Sequence, residues 1–322
     1  MAKQFFVSQL SVNDDVVDFF IAKNPGIRMG SNQKMFFDVT LEDRSGAING
    51  KKWDVSEDDA IFLNTIREGD IIRVKAGVTE WNGTKQLRIG RIRKMSLTDD
   101  VDMNDLVKAA PEVPSDMYTY IMDKARGIGD EGLRNMAVSF LTENRERLLY
   151  YPAASRNHHA ELAGLLYHMK RMLAMGIRAC EVYTNLDRDW VVCGVILHDM
   201  EKLNEIEASE LGISSGYSFE GKMLGHIPQG IKAVDRLAEK VGLDREKTIM
   251  LEHMILSHHY EPDFGSPKKP LFPEAELLHY LDMLDAKMYD FQEALAPVSP
   301  GNFSDYVRTL DGRQLYKPTF KE

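Results

Sequence analysis

Cysteine is nearly absent. Cys180 and Cys193 are the two thiols in 322 residues, too few for a disulfide framework and without the CxxC or paired Cys/His spacing of a structural zinc knot. No apolar run of about 18 residues occurs, which excludes a membrane-spanning helix. The opening MAKQFFVSQLSVNDD holds no long apolar core of a secretory signal. The expectation from these absences is a cytoplasmic protein with no membrane partner. Low-complexity tracts and internal repeats are also missing. Basic charge is in deficit: 40 Lys and Arg stand against 50 Asp and Glu, net −10, which argues against a histone-like coat on nucleic acid. The balance of 43% hydrophobic and 28% charged residues excludes a mostly disordered chain. The length suggests about two domains.

The charge is uneven along the chain. Residues 1–98 hold 15 Lys/Arg and 13 Asp/Glu, net +2, while residues 99–322 hold 25 and 37, net −12. A solvated acidic surface accounts for this; so does a mildly basic binding module joined to an acidic domain that holds cations.

The first 95 residues read as β-rich. Met35-Phe-Phe-Asp-Val-Thr-Leu-Glu-Asp43 alternates, with Met35, Phe37, Val39 and Leu41 on one face. A strand is expected around Ala47–Val55, a short helix near Glu57–Arg67, and further strands over Ile71–Val78 and Lys85–Met95 around an Asn82-Gly83 hairpin turn. Leu87 and Ile89 share one face but Ile92 falls on the other, so a bulge is expected at Gly90. Five short strands with a helix between the third and fourth is the order of an OB barrel, which commonly binds oligonucleotides. Phe36, Trp53 and Trp81 offer rings for base stacking. Arg73, Lys75, Arg88, Arg91, Arg93 and Lys94 offer charge for phosphates. Aromatics capping the barrel ends and ordinary solvent-facing cations are the plainer alternative. Residues 96–115 are acidic, then proline-bearing, and read as a linker.

From about 116 the period becomes helical, with candidates at 116–125, 129–148, 158–176, 189–203, 219–241, 244–259 and 273–296. The expected architecture is thus multidomain: a barrel over 1–95, then an all-α domain over 116–300 and a tail over 301–322 that packs back. All nine histidines lie between His158 and His279. His168 sits inside an apolar helix, His198-Asp199 ends the run Trp190–Leu197, and Lys202 follows Asp199 at i+3. His226 opens another helix, His258-His259 closes Ile249–Leu256, and Asp282 lies in an apolar helix with Asp285 at i+3. Any one of these histidines is explained as a core residue or a helix cap. The set, with acids inside apolar helices, points to a divalent metal bound by imidazole and carboxylate. Mn²⁺ comes first among Mn, Fe, Co, Ni, Zn and Mg. His253 and His279 read as structural.

The order His168, His198-Asp199, Asp282 resembles the H…HD…D signature of HD-domain metal-dependent phosphohydrolases. With the barrel, Asn157-His-His159, Leu165-Leu-Tyr-His168, His198-Asp-Met-Glu-Lys202, Gly225-His226, Ser257-His-His259 and Leu281-Asp-Met-Leu-Asp-Ala286, nearly the whole chain resembles the YhaM family of 3′-5′ exoribonucleases. The resemblance implies an HD-type helical domain in which His168, His198, Asp199 and Asp282 bind one cation. It implies a second cation at His226 and His258 or His259, with Asp199 bridging. Asp285 is an alternative to Asp282. Lys202 would lie near substrate phosphate, and His158 and His159 would contact substrate or simply begin a helix. Many relatives carry Gly where this chain has Glu201, which puts the local backbone in question. The implied chemistry is in-line attack of metal-activated water on the 3′-terminal phosphodiester of single-stranded RNA, and of DNA as a further substrate, giving nucleoside 5′-monophosphates. A homo-oligomer is compatible with the sequence. Two other readings compete: a phosphohydrolase of small nucleotides with a regulatory barrel, and an inactive nucleic-acid-binding protein.

Overall fold

The computed structural model describes residues 3–30, 34–96, 98–154 and 161–320. His158 and His159 lie outside them. The chain divides into two compact units, Met1–Ala109 and Ala110–Glu322.

The first unit is a closed barrel. Strands β1 (Asp15–Met29), β2 (Met35–Asp43), β3 (Gly46–Lys52), β4 (Ile71–Trp81) and β5 (Thr84–Lys94) pair in the order β1-β2-β3-β5-β4, with β3 and β5 parallel. Helix α1 (Glu57–Leu63) lies between β3 and β4, and Ser56 caps it by accepting from the Asp59 amide. This is the OB arrangement. Phe37, Val39 and Leu41 are buried with Val74, Val78, Leu87 and Ile89 in the barrel core. The Asn82-Gly83 turn takes left-handed backbone at both residues (φ 50° and 75°), which suits the twist of a two-residue hairpin. The bulge falls at Gly90: Lys75 pairs with Arg91 and Ala76 with Ile89, so Gly90 is the extra residue. β3 ends at Lys52 rather than Val55, because the chain turns at Asp54 (φ 52°). Residues 98–109 follow β5. Asp99 takes both guanidinium nitrogens of Arg93 at 2.6 Å, and Leu106 and Val107 are buried.

The second unit is helical: α2 (Pro114–Arg126), α3 (Glu131–Glu143), α4 (Arg145–Leu148), α5 (Gly164–Val182), α6 (Arg188–Leu197), α7 (Lys202–Glu205), α8 (Phe219–Leu224), α9 (His226–Val241), α10 (Arg245–Ser257) and α11 (Pro273–Leu295). Among the described residues this unit also holds a small hairpin, β6 (Ile206–Ala208) with β7 (Ser214–Tyr217), and isolated bridges Phe303–Tyr316 and Val307–Arg313. The helix expected over 219–241 is two helices, broken at Gly225, whose φ of 73° and ψ of 168° no helix accommodates. α5, expected over 158–176, runs later.

Buried Leu166, Met169 and Leu173 of α5 share one core with Val192, Val195 and Ile196 of α6 and with Met254, Leu278 and Leu281. Each such side chain contributes about 1.5–3 kcal/mol. Close crossings bring the helix ends together: a Cβ at Gly194 would lie 2.2 Å from Met254 Cε, so a larger residue there would displace the Met254 thioether where α6 meets α10. In the tail, Leu310 and Leu315 are buried, and Arg313 lies 5.7 Å over the Phe291 ring of α11.

Candidate metal centre

Five helical elements deliver the site. His168 comes from the middle of α5, His198 and Asp199 from the end of α6, and His226 from the first turn of α9. His258 and His259 come from the end of α10, and Asp282 from α11. The expected residues converge. His168, His198 and Asp282 form one trio and His226, His258 and His259 another, the ligand atoms of each lying within 4.8 Å of one another. Asp199 stands between them. Its Oδ2 is 3.2 Å from His198 Nε2 and 3.8 Å from His168 Nε2; its Oδ1 is 3.5 Å from His226 Nε2 and 3.9 Å from His258 Nε2. Asp282 also spans both trios, with Oδ1 3.4 Å from His168 Nε2 and Oδ2 3.8 Å from His259 Nε2.

Local chain geometry sets the histidine tautomers. The last carbonyls of a helix lack intrahelical donors. His198 and His258 follow the last residues of α6 and α10, and each places Nδ1 2.8 Å from a carbonyl three residues back, Val195 O and Ile255 O. A carbonyl only accepts, so Nδ1 carries the hydrogen and Nε2 keeps its lone pair. His259 Nδ1 does the same toward Phe264 O at 2.7 Å. His226 Nδ1 is 3.2 Å from Glu205 Oε1, which also accepts the His226 amide at 3.0 Å. His168 Nδ1 donates to Asp285 Oδ2 at 2.8 Å, and Arg171 Nε binds the other oxygen at 2.6 Å. This is the arrangement that orients metal-ligating imidazoles: one nitrogen anchored, the other aimed inward. The inward Nε2 atoms of His198, His226 and His258 are buried with no hydrogen-bond partner among the described residues. Buried polar atoms left in that state are costly. A divalent cation would satisfy them, so the donor set fits the group that the sequence implies.

The electrostatics agree. Burial alone would raise the Asp199 carboxyl, but His198, Lys202 and His226 hold it well below the usual range. Burial likewise opposes ionisation of Asp282, and His168 and His198 outweigh it. Burial and neighbouring His259 push His258 well below an ordinary imidazole, which keeps it a neutral donor. Lys202 Nζ sits 2.7 Å from Asp199 Oδ2; burial lowers its pKa, and the charges of Asp199 and Asp282 more than restore it.

The alternatives that spacing left open take distinct positions. Asp282 faces the cluster, and Asp285 stands behind His168. His258 and His259 both face inward. Glu201 has φ −86° and ψ 0°, a helical conformation that any residue adopts, so it replaces glycine without strain. His253 accepts from the Leu271 amide at 3.0 Å and His279 Nδ1 lies 2.8 Å from His258 O, both structural contacts. Arg171 and Glu205 were not singled out in the sequence. Glu205, at i+3 from Lys202, carried a weak signal; Arg171, an ordinary basic helix position, carried none.

In the barrel, the candidates fall into separate groups. Phe36 and Trp53 stack with centroids 4.8 Å apart, and Lys51 Nζ lies 5.7 Å from each ring. Lys51, which sequence reasoning passed over, is paired in register with Arg88. Lys75 and Arg91 are cross-strand neighbours on β4 and β5. Arg73 lies 5.5 Å over the Phe19 ring with its Nε buried, which leaves it less free for phosphate than its sequence position suggested. Trp81, 68% exposed, ends β4 at the hairpin tip.

An OB barrel followed by a helical unit with this His/Asp cluster defines the class of HD-domain metal-dependent phosphohydrolases. An OB-fold nucleic acid binding domain model matches residues 24–95, and an HD domain model matches residues 165–287. The 3′-5′ exoribonuclease YhaM of Halalkalibacterium halodurans is 36% identical over 312 residues, covering 97% of this chain and 95% of that protein. The 3′-5′ exoribonuclease YhaM of Bacillus subtilis is 34% identical over 320 residues, covering 99% of each. This chain belongs to the YhaM family.

Proposed function

We propose that this protein is a metal-dependent 3′-5′ exoribonuclease that shortens single-stranded RNA and releases nucleoside 5′-monophosphates. One observation supports it above the rest: the two oxygens of Asp199 face two different histidine groups, as a bridging carboxylate requires. His168, His198, Asp199 and Asp282 would hold one cation. His226, His258, His259 and Asp199 would hold the other. Mn²⁺ suits this set of imidazole and carboxylate donors. Bound divalent cations supply Lewis-acid activation of water and offset phosphate charge.

The chain's own groups do the rest. Lys202 places a cation at the edge of the cluster, where it would pair with a phosphoryl oxygen. Asp285 and Glu205 hold His168 and His226 in the tautomer that turns Nε2 toward the cluster. In the barrel, Phe36 and Trp53 would stack bases while Lys51 and Arg88 bind phosphates, contacts that tolerate any sequence. The cytoplasm is the proposed compartment.

A time course on 3′-extended single-stranded RNA with Mn²⁺, with and without chelator, tests the reading. Stepwise mononucleotide release from the 3′ end that chelator stops is the expected result. Internal fragments, or turnover confined to free nucleotides, would overturn it.

A further inference from the structure

A buried primary amide costs about 1–3 kcal/mol when its hydrogen bonds go unmade. Gln229 is 4% exposed, and neither Oε1 nor Nε2 has a hydrogen-bond partner among the described residues. Among the described residues it is the one side chain outside the metal cluster with both polar atoms in that state. Asp199 of the cluster is the other such side chain whose two polar atoms lack a hydrogen bond, with Lys202 ion-paired to one of them. The signature that marks the ligand atoms therefore marks Gln229 too.

Its position agrees. Gln229 follows His226 at i+3 on α9, so the two share a helical face with Cβ atoms about 5–6 Å apart. Helical side chains lean toward the helix N-terminus, which carries the Gln229 carboxamide back toward the turn that begins at His226. Next to it, a Cβ on Gly230 would lie 2.9 Å from Ile255 Cγ2, so α9 crosses α10 here, three residues before His258.

The chemistry selects the occupant. A cation would satisfy Oε1 and leave the N–H groups unpaired; a phosphate oxygen would do the reverse. Water satisfies both, accepting from Nε2 and donating to Oε1. We propose that Gln229 is a positioning residue that holds a water molecule beside the His226–His258–His259 trio, in reserve for hydrolysis. Each turnover consumes one water. Its oxygen forms the new bond to phosphorus, the P–O3′ bond to the penultimate nucleotide breaks, and the proton ends on the freed 3′-hydroxyl.

The inference rests on the metal-dependent nuclease reading, and its test separates the two. Gln229→Met keeps length and removes the amide; Gln229→Glu keeps the acceptor oxygen and the shape. Full-length proteins are compared by RNA kinetics, by Tm in chelator, and by the visible absorption of the Co²⁺-loaded form. The methionine variant should lose about tenfold in kcat with KM within twofold, melt no lower in chelator, and show an altered cobalt band. The glutamate variant should recover part of kcat. Wild-type kcat with an unchanged cobalt band in the methionine variant overturns the proposal. So does an equal loss in both variants that tracks a lowered Tm. A wild-type protein that releases no nucleotide ends the nuclease reading instead, and the cobalt band and Tm still judge Gln229.

Discussion

Asp285 touches no candidate cation, yet replacing it should disable the site. The carboxylate is fully buried; His168 Nδ1 donates to one oxygen at 2.8 Å, and Arg171 Nε is ion-paired with the other at 2.6 Å. Asn has the same shape but one acceptor oxygen. Whichever way the amide sits, its NH₂ faces a donor. If it faces Arg171, the partly exposed guanidinium loses its carboxylate partner. If it faces His168, the ring must accept at Nδ1, and the hydrogen moves to Nε2, where it blocks the lone pair that a cation needs. Removing such an orienting partner typically costs 10–100-fold in metal affinity. The unmet donor adds about 1–3 kcal/mol of destabilisation. Asp285→Ala should be worse, because it strips both His168 and the partly exposed Arg171 of this partner altogether. Mn²⁺ titration of RNA trimming, with calorimetry of the cation and a thermal melt, reads all of this. Activity of Asp285→Asn should return toward wild type at saturating Mn²⁺, since the ligands remain. Wild-type cation affinity in a folded Asp285→Asn protein would refute the reasoning, and so would inactivity that no concentration of Mn²⁺ relieves.

Other expectations follow from the same geometry. Asp199→Ala should abolish RNA cleavage and lower the bound metal measured by elemental analysis, with the helical circular dichroism retained; undiminished turnover would reject the bridging role. Phe36→Ala and Trp53→Ala should each weaken binding of single-stranded RNA by about 1–3 kcal/mol in a fluorescence titration, without changing bound metal. Chelator should lower Tm, because a cation at 100 times its Kd stabilises the folded state by about 2.7 kcal/mol. Burial lowers the His168 pKa, but Asp282 and Asp285 outweigh it and carry it up to about 9 from 6.5. The metal-free protein should therefore hold this stabilisation below pH 6.5 and lose it as pH rises toward 9. Mn²⁺ affinity should move the opposite way over that interval, rising as the competing proton leaves; a metal-free melt flat across it would contradict the assignment.

The sequence displayed the candidate ligands more clearly than the groups that aim them, for a physical reason. A histidine or aspartate inside an apolar helix violates the local pattern, and His168, Asp199 and Asp282 each stand out against flanking Leu, Val and Met. Arg171 and Glu205 break no pattern. Each is a polar residue where a helix expects one, and its role exists only through a contact from distant chain, 114 residues on for Arg171 and 21 for Glu205. The barrel divides along the same line. β2 was legible because its alternation is strict, whereas β1 was not, because it carries Asn24 at φ 49° and a register shift between Lys23 and Gly26. The break at Gly225 was masked by apolar residues on both sides, although that glycine turns the chain so that His226 opens a new helix against Glu205. Spacing therefore identified the atoms that could meet a cation, while their tautomers and orientation were fixed by long-range partners. Variants of Asp285 and Glu205 test that division: they leave every ligand in place and should still cost metal affinity.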